Sequence, residues 1–550
     1  MNKRSFLKTM AAAGGAAFMP SSLNLLSMYK AANAAIDYSA ANVVAPPVMP
    51  QVINIFLYGG PSELSGNLTN IVDIEANSEN SYAAAFGDNI LSYDDTGDAT
   101  NGFITKNGFW RGTPNGNNPH LDNNGAGGRA MQYMLDKNYM SVYRTLMKRL
   151  DGTRSHRESI LMSLKGSLDI EVSAGVGTRI AATLYENRAQ YQGTTRLADS
   201  VTPIENVVDD LLLPFVSFEG DTRAFSLDPD YQIPLLFRGI TLDQNFANPY
   251  ERQSDNYAAE LDAIANKMRT AEYDERYTGV ANSFETRAFL ESKISNITDA
   301  SNLDLPVIDP ADPDADDDAA SIGIIAGARI AYPNNNRYSD RIKAAVTLAL
   351  ANPSSLYITV GGGLGGWDDH NNGIDNYRNR MDDLFEVLKV AMLHIKYADQ
   401  SMNTAAPFTT INGATRTTDN IAINMFGDFG RRVNLNGNQG WDHGNNQNLF
   451  TFGGAGLRPP GALGKVVGRT VRVGEGGTNN QVTEPDPGDP GMNIPPSYEA
   501  EPMSVASTVY SYFGVQNPEM LTRDDEINPD GVPPIDEEQP GEPDLFTPST

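Results

Sequence analysis

Apolar positions along the chain fall into two kinds of run. Val52-Ile53-Asn54-Ile55-Phe56-Leu57-Tyr58 is nearly continuous and β-prone, and it stops at Gly59-Gly60-Pro61. That is the pattern of a strand buried on both faces. Leu356 to Val360 reads the same way and ends in Gly361-Gly362-Gly363, and Ile421 to Phe426 closes at Gly427-Asp428-Phe429-Gly430. Between these two strands, Met381, Leu384, Phe385, Leu388, Met392 and Ile395 recur at spacings of three and four, so one amphipathic helix is expected there. Residues 341–351 are helical by composition. Strand, helix, strand in this order predicts a parallel, right-handed crossover. The fold class expected is therefore α/β, a doubly wound, mostly parallel sheet flanked by helices, with a helical insertion and long loops.

The remaining segments are less regular. Residues 87–128 are rich in Asn, Gly and Asp and read as a surface excursion. From Met131 to Lys165 the pattern is helical, interrupted by a short strand at Tyr139 to Tyr143. Tyr257, Leu261, Ile264 and Met268 share one face of a helical region that resembles an insertion or cap, within an insertion spanning 250–320. Its end carries Asp309, Asp312, Asp314, Asp316, Asp317 and Asp318, either a calcium loop or a solvated linker, and the linker is the expectation. The α/β domain is placed at 50–475. Residues 476–550 form a Pro- and acid-rich tail with one amphipathic helix at 504–513.

The amino terminus changes the compartment expected. Asn2-Lys3-Arg4-Ser5-Phe6-Leu7-Lys8 precedes a mildly apolar, Ala- and Gly-rich stretch, and Ala32-Asn33-Ala34 offers a small-x-small cleavage pattern. Residues 1–34 are read as a signal peptide resembling the twin-arginine type with Lys in place of one Arg, so the protein is expected to be exported, periplasmic or secreted. Gly14, Gly15 and Pro20 keep the stretch below the length of a spanning helix, and none is expected in the mature protein.

Charge and composition narrow the partners. The 550 residues carry 41 Lys plus Arg against 69 Asp plus Glu, a formal net charge of −28, so nucleic acid is excluded as a partner. Cysteine is absent, which leaves only His and carboxylate as strong side-chain ligands for a transition metal. With five His in the chain, two falling in Gly- and Asp-rich loops are informative.

In an open parallel sheet the ligand crevice lies beyond the carboxyl ends of the strands. Three segments there end a strand in Gly and turn polar: Gly59-Gly60-Pro61-Ser62-Glu63, Gly365-Gly366-Trp367-Asp368-Asp369-His370, and Gly427-Asp428-Phe429-Gly430-Arg431-Arg432, the last followed by Trp441-Asp442-His443-Gly444. Two imidazoles and several carboxylates on Gly-rich loops suit a divalent cation such as Zn, Mn or Ca, while a guanidinium suits a tetrahedral oxyanion. Each piece also has a plainer reading, as a loop turn, a packing corner or a salt-bridged surface.

These four motifs, taken in order over roughly residues 50–515, resemble the exported bacterial family catalogued as domain of unknown function 1501, which is similar to the alkaline phosphatase and sulfatase superfamily. The resemblance implies Asp368 and His370 as one ligand pair, Asp428 as a bridging or second-metal carboxylate and His443 as a further ligand, with Asp442 as ligand or supporting partner. Arg154-Ser155-His156 resembles the family's His-containing segment, which turns His156 toward the same crevice. Asp428 stands where Glu is usual, Gly427 replaces Ser, and Ser65 stands where many members carry Asp. Ser62, Thr145 and Ser155 remain open as nucleophile, with Ser62, His156 and Arg431 the catalytic candidates. The function expected is metal-dependent hydrolysis of phosphate or sulfate esters, small or polymeric. The alternative is a non-catalytic exported or surface-associated protein on the same fold with a degenerate metal site.

Overall fold

The computed structural model describes residues 36–61, 126–147, 155–191, 211–244, 305–398, 418–473 and 501–522, a few positions within these ranges excepted, with short pieces of 90–123, residues 480–484 and residues 544–545. The signal segment, the 250–297 helical region and Ser62 lie outside the described residues.

Ten strands organise the chain around the site. They are β1 (Gln51–Leu57), β2 (Met140–Met147), β3 (Phe215–Ser217), β4 (Ile240–Thr241), β5 (Tyr357–Val360), β6 (Ile421–Gly427), β7 (Gly430–Leu435), β8 (Trp441–Gly444), β9 (Asn446–Gly453) and β10 (Val466–Val467). Eight of them form one sheet in the order β10-β2-β9-β6-β1-β5-β3-β4, while β7 and β8 pair separately as a hairpin. Only β9 runs against its neighbours, so the sheet is mixed but mostly parallel. An α/β sheet flanked by helices is therefore present. The strands at 90–123 pair in two small ladders apart from this sheet.

The alternation of side chains along β1 explains why both faces are covered. Ile53, Ile55 and Leu57 point into one core with α1 (Gly128–Asp136), α5 (Ser339–Ala351) and α6 (Gly373–Ala398). Val52 and Phe56 point into the other with α3 (Val176–Glu186), α7 (Pro502–Tyr512) and Leu164 of α2 (His156–Lys165). The α6 stripe expected from spacing is buried throughout, from Met381 to Ile395. Among the described residues no helix is long and apolar enough to cross a membrane.

Two expectations need correction. The Asp-rich run is not a solvated linker: it folds into α4 (Ala315–Ser321). Asp318 is fully buried there and accepts hydrogen bonds from Tyr397 (2.7 Å), Tyr139 (3.2 Å) and Lys396 (2.7 Å), and from Tyr133. Lys137 pairs with Asp314 at 2.8 Å and Asp317 at 2.7 Å. Cations and hydroxyls supplied from α1, α6 and the turn before β2 replace the water that a linker would need. The helix within the expected tail is not amphipathic either. All but one residue of α7, Ser511, is buried, because the helix packs against α2 and the sheet as part of the second core.

His394 shows the sheet's inner environment acting on a titrating group. A His near a helix carboxyl end is ordinarily favoured as a cation by the dipole. Here burial, aided by the Lys343 charge, pushes its pKa down to about 3, and Tyr332 Oη lies 3.1 Å from its Nδ1. The unfolded chain takes up this proton near the ordinary value of about 6.5, whereas the native state refuses it. Stability is thus lost as pH falls from that value toward the native one, by about 1.4 kcal/mol per pH unit. H394Q, which keeps a partner for Tyr332, is expected to lose about 2 kcal/mol less than the parent between about pH 7 and about pH 4.5. Urea unfolding at the two pH values measures this, and equal losses would refute it.

Candidate functional site

The strands β1, β5 and β6 are adjacent and parallel, and their registers place Leu57 opposite Gly427 and Ile55 opposite Val360. The loops that follow them consequently leave the same edge of the sheet. Close approach of these loops depends on glycine. Gly59 has φ +114°, and a Cβ there would lie 2.6 Å from the amide nitrogen of Asp368, while at Gly60 (φ +67°) it would lie 2.5 Å from the Phe429 carbonyl oxygen. The β7–β8 hairpin then closes over the loop that carries His370. Gly373 donates to Gln439 and Trp441 donates to Asp369, each at 2.8 Å. A Cβ on Gly440 would lie 2.2 Å from the His370 carbonyl carbon.

G59A combines a disfavoured φ with a main-chain clash. It is expected to cost roughly 2–4 kcal/mol, read as a shifted urea midpoint, and to displace the Asp368 loop. An unchanged midpoint would show that the two loops separate freely.

Three imidazoles converge on one carboxylate oxygen. Asp368 Oδ1 lies 3.1 Å from His370 Nε2, 3.4 Å from His156 Nε2 and 3.6 Å from His443 Nε2. His370 Nε2 and His443 Nε2 are 3.0 Å apart. His156, Asp368 and His443 each offer a ligand atom within 4.8 Å of the others, and His370 joins them through Asp368 and His443. Side-chain exposure runs from 22% at His443 to 47% at Asp368, so the cluster is open to solvent.

The three imidazoles are supported differently. His156 is the first residue of α2, and its Nδ1 lies 2.6 Å from Oδ2 of the fully buried Asp428, whose Oδ1 accepts from the Gly59 amide at 3.2 Å. With Nδ1 engaged, His156 Nε2 faces the cluster, buried and without a hydrogen-bond partner. His370 Nδ1 stands 3.5 Å from Asp442 Oδ1, and Asn436 Nδ2 donates to both Asp442 Oδ1 (3.2 Å) and the His370 carbonyl (3.0 Å). His443 faces Arg431 across the β7–β8 pair, so both side chains lie on one face of the hairpin. The Phe429 ring packs against both His156 and His443, with centroid separations of 4.6 and 4.5 Å, and the two imidazoles are themselves 4.6 Å apart.

Arg431 was expected to meet substrate oxygens. It is fully buried, and its Nε donates to Gly60 O (2.7 Å) and Nη1 to Trp441 O (3.0 Å), while Nη2 donates to Gly59 O and to Asp368 Oδ1 (2.5 Å). Its fork thus ties the three loops together, and its Nη1 also lies 3.4 Å from His370 Nε2 in the cluster.

Electrostatics follow from these contacts. The hydrogen bond to Asp428 raises the pKa of His156 against the effect of burial, with the Asp428 and Asp368 charges adding to it. Burial works against the Asp368 carboxylate, but the hydrogen bond and charge of Arg431, with His156 and His370, hold its pKa below the ordinary value. Burial raises that of Asp369 despite its 2.8 Å pair with Arg380.

Of the residues expected at the site, Asp368, His370, Asp428, Asp442, His443, His156 and Arg431 are brought together, in two layers. The sequence suggests His156 as a catalytic group facing the crevice and Asp428 as a ligand. The structure puts the His156 nitrogen in the cluster and Asp428 behind it. Asn436 gave no signal, since an Asn in a Gly-rich turn looks like any turn residue. The side chains of Thr145 and Arg432 lie outside the described residues, and Ser155 is exposed at the start of α2. Comparison of the chain with protein-family models, with curated proteins and with solved structures finds no match.

Proposed function

We propose that this is an exported, metal-dependent hydrolase of phosphate or sulfate esters, related to the alkaline phosphatase and sulfatase superfamily and to the family of domain of unknown function 1501. The observation that carries the proposal is the convergence of three Nε2 atoms on Asp368 Oδ1 at 3.1–3.6 Å. Bonds of about 2.0–2.2 Å from a cation to nitrogen and oxygen would put neighbouring ligand atoms roughly 3–3.5 Å apart, close to the spacing of each imidazole from Asp368 Oδ1, while His156, Asp368 and His443 lie within 4.8 Å of one another. Three imidazoles and one carboxylate without thiolate suit Zn or Mn better than Ca, which prefers an all-oxygen shell.

His156, His370, His443 and Asp368 would hold the cation. Bound there, it would polarise an ester oxygen and lower the pKa of water. Asp428 accepts the Nδ1 proton of His156 and thereby presents the Nε2 lone pair, while the Asp442 carboxylate stands 3.5 Å from His370 Nδ1 on the solvent side. Arg431 keeps Asp368 ionised and its loop seated. Phe429 limits rotation of two imidazoles and keeps water out from beneath them. The solvent-facing side of the cluster is left for substrate.

Metal analysis of protein purified without chelator is expected to give one Zn or Mn per chain, with turnover of aryl phosphate or aryl sulfate. H156A and H443A should each lose most of the metal and at least ~100-fold in turnover. Metal-free protein whose melting temperature ignores added Zn and Mn would overturn the cation site. Stoichiometric metal without turnover of either ester class would favour the non-catalytic alternative.

A further inference from the structure

A second concave feature lies along α2, on a side of the helix that the histidine cluster does not use. Arg157, Ile160, Leu161 and Lys165 are spaced by three, one and four residues, so they share one helical face. His156 points from a neighbouring direction into the cluster. This face lines a cavity of 330 Å³ whose other wall is Ile170, Glu171 and Arg223.

The cavity's chemistry runs against that of the whole protein. Three cations meet one carboxylate here, in a chain with a formal charge of −28. The one carboxylate is loosely held: Glu171 and Arg157 approach at 3.4 Å with side chains 72% and 75% exposed, a pair that contributes little. Arg223 is exposed and, among the described residues, has no carboxylate within ion-pair distance. Lys165 is largely buried, donating to the carbonyls of Ile170 (2.8 Å) and Glu171 (3.5 Å). Burial pushes its pKa down, and the charges of Arg223 and Arg179 add to that in opposition to Asp169. Ile160, Leu161 and Ile170 supply apolar wall between the cations. A pocket of this size with a few convergent polar groups is of the kind that takes small ligands.

We propose that the α2 pocket binds a small amphiphilic anion, with its oxyanion head between Arg223, Arg157 and Lys165 and its apolar body against Ile160, Leu161 and Ile170. A guanidinium fork offers two parallel N–H donors to a carboxylate, and the buried ammonium has a third proton beyond those given to the two carbonyls. The incoming head displaces Glu171 from Arg157 and relieves the crowding of positive charge around Lys165. The site is independent of the cation cluster and of the hydrolase reading.

Isothermal titration of the full chain with octanoate tests it, with 1-octanol as the neutral control of equal tail. Saturable binding of one octanoate per chain is expected, with 1-octanol about tenfold weaker or worse. R223M is expected to weaken octanoate about tenfold, and R157M to weaken it by a smaller factor. Both positions are exposed, so neither variant endangers folding as K165M would. Binding should survive unchanged in H443A. Equal affinity for octanoate and 1-octanol, indifference to R223M, or loss of binding in H443A would each overturn the proposal. The last of these would locate the carboxylate at the histidine cluster.

Discussion

D318A is expected to remove roughly 3–5 kcal/mol of stability, a large fraction of what a folded domain possesses. Asp318 has no exposed surface, and four donors from three elements point at it: the hydroxyls of Tyr133, Tyr139 and Tyr397 and the Lys396 ammonium. Truncation leaves an ammonium facing a cavity, with Asp312 at 3.1 Å as its main remaining partner. D318N should cost less, because an amide oxygen still accepts from the hydroxyls, although the charge that balances Lys396 is gone. Burial, followed by the Asp318 charge, raises the pKa of Tyr133 and Tyr139. These phenols should stay protonated well past their ordinary value in the native protein, and stability should fall as pH rises beyond about 10. Denaturant unfolding measures the variants. A loss below about 1 kcal/mol for D318A would mean that water replaces the carboxylate without difficulty.

The second large effect is expected at Arg431. R431M removes the donor that serves Gly59, Gly60 and Trp441 carbonyls and leaves Asp368 without its charge partner, which should cost roughly 3–5 kcal/mol. R431K keeps the charge but not the planar fork, and a single ammonium cannot reach the Gly59, Gly60 and Trp441 carbonyls and the Asp368 carboxylate at once. Both variants should therefore lose stability and metal together. A direct role on substrate predicts the opposite pattern, with turnover lost while melting temperature and metal content stay near those of the parent. Measuring all three quantities on R431K separates the roles.

Local pattern was enough to place the sheet and its long helix. The β1 run is apolar on both faces because helices cover both sides, and the Gly-Gly that ends it is required by main-chain approach to Asp368 and Phe429. The α6 stripe faces the core as its spacing of three and four demands. Short motifs rich in Gly, Asp and His at the strand ends were legible as loops that meet at one edge of the sheet, since glycine permits the tight turns and the strands that precede them are adjacent and parallel.

What could not be read was the direction of each side chain and the partner brought from afar. Asp428 and Asp368 look alike in sequence, yet one is buried behind His156 and the other is open to solvent at the centre of three imidazoles. Arg431 resembles an oxyanion donor in sequence, and only the fold shows that it is buried and bonded to the three loops around it. The acid run at 309–318 looks like a linker because Lys137 and Lys396 lie 177 and 84 positions away from their Asp partners. Periodicity and turn chemistry are local and survive in the sequence. Burial, ion pairing and the convergence of ligand atoms depend on which distant segments meet, and only the folded chain sets those distances.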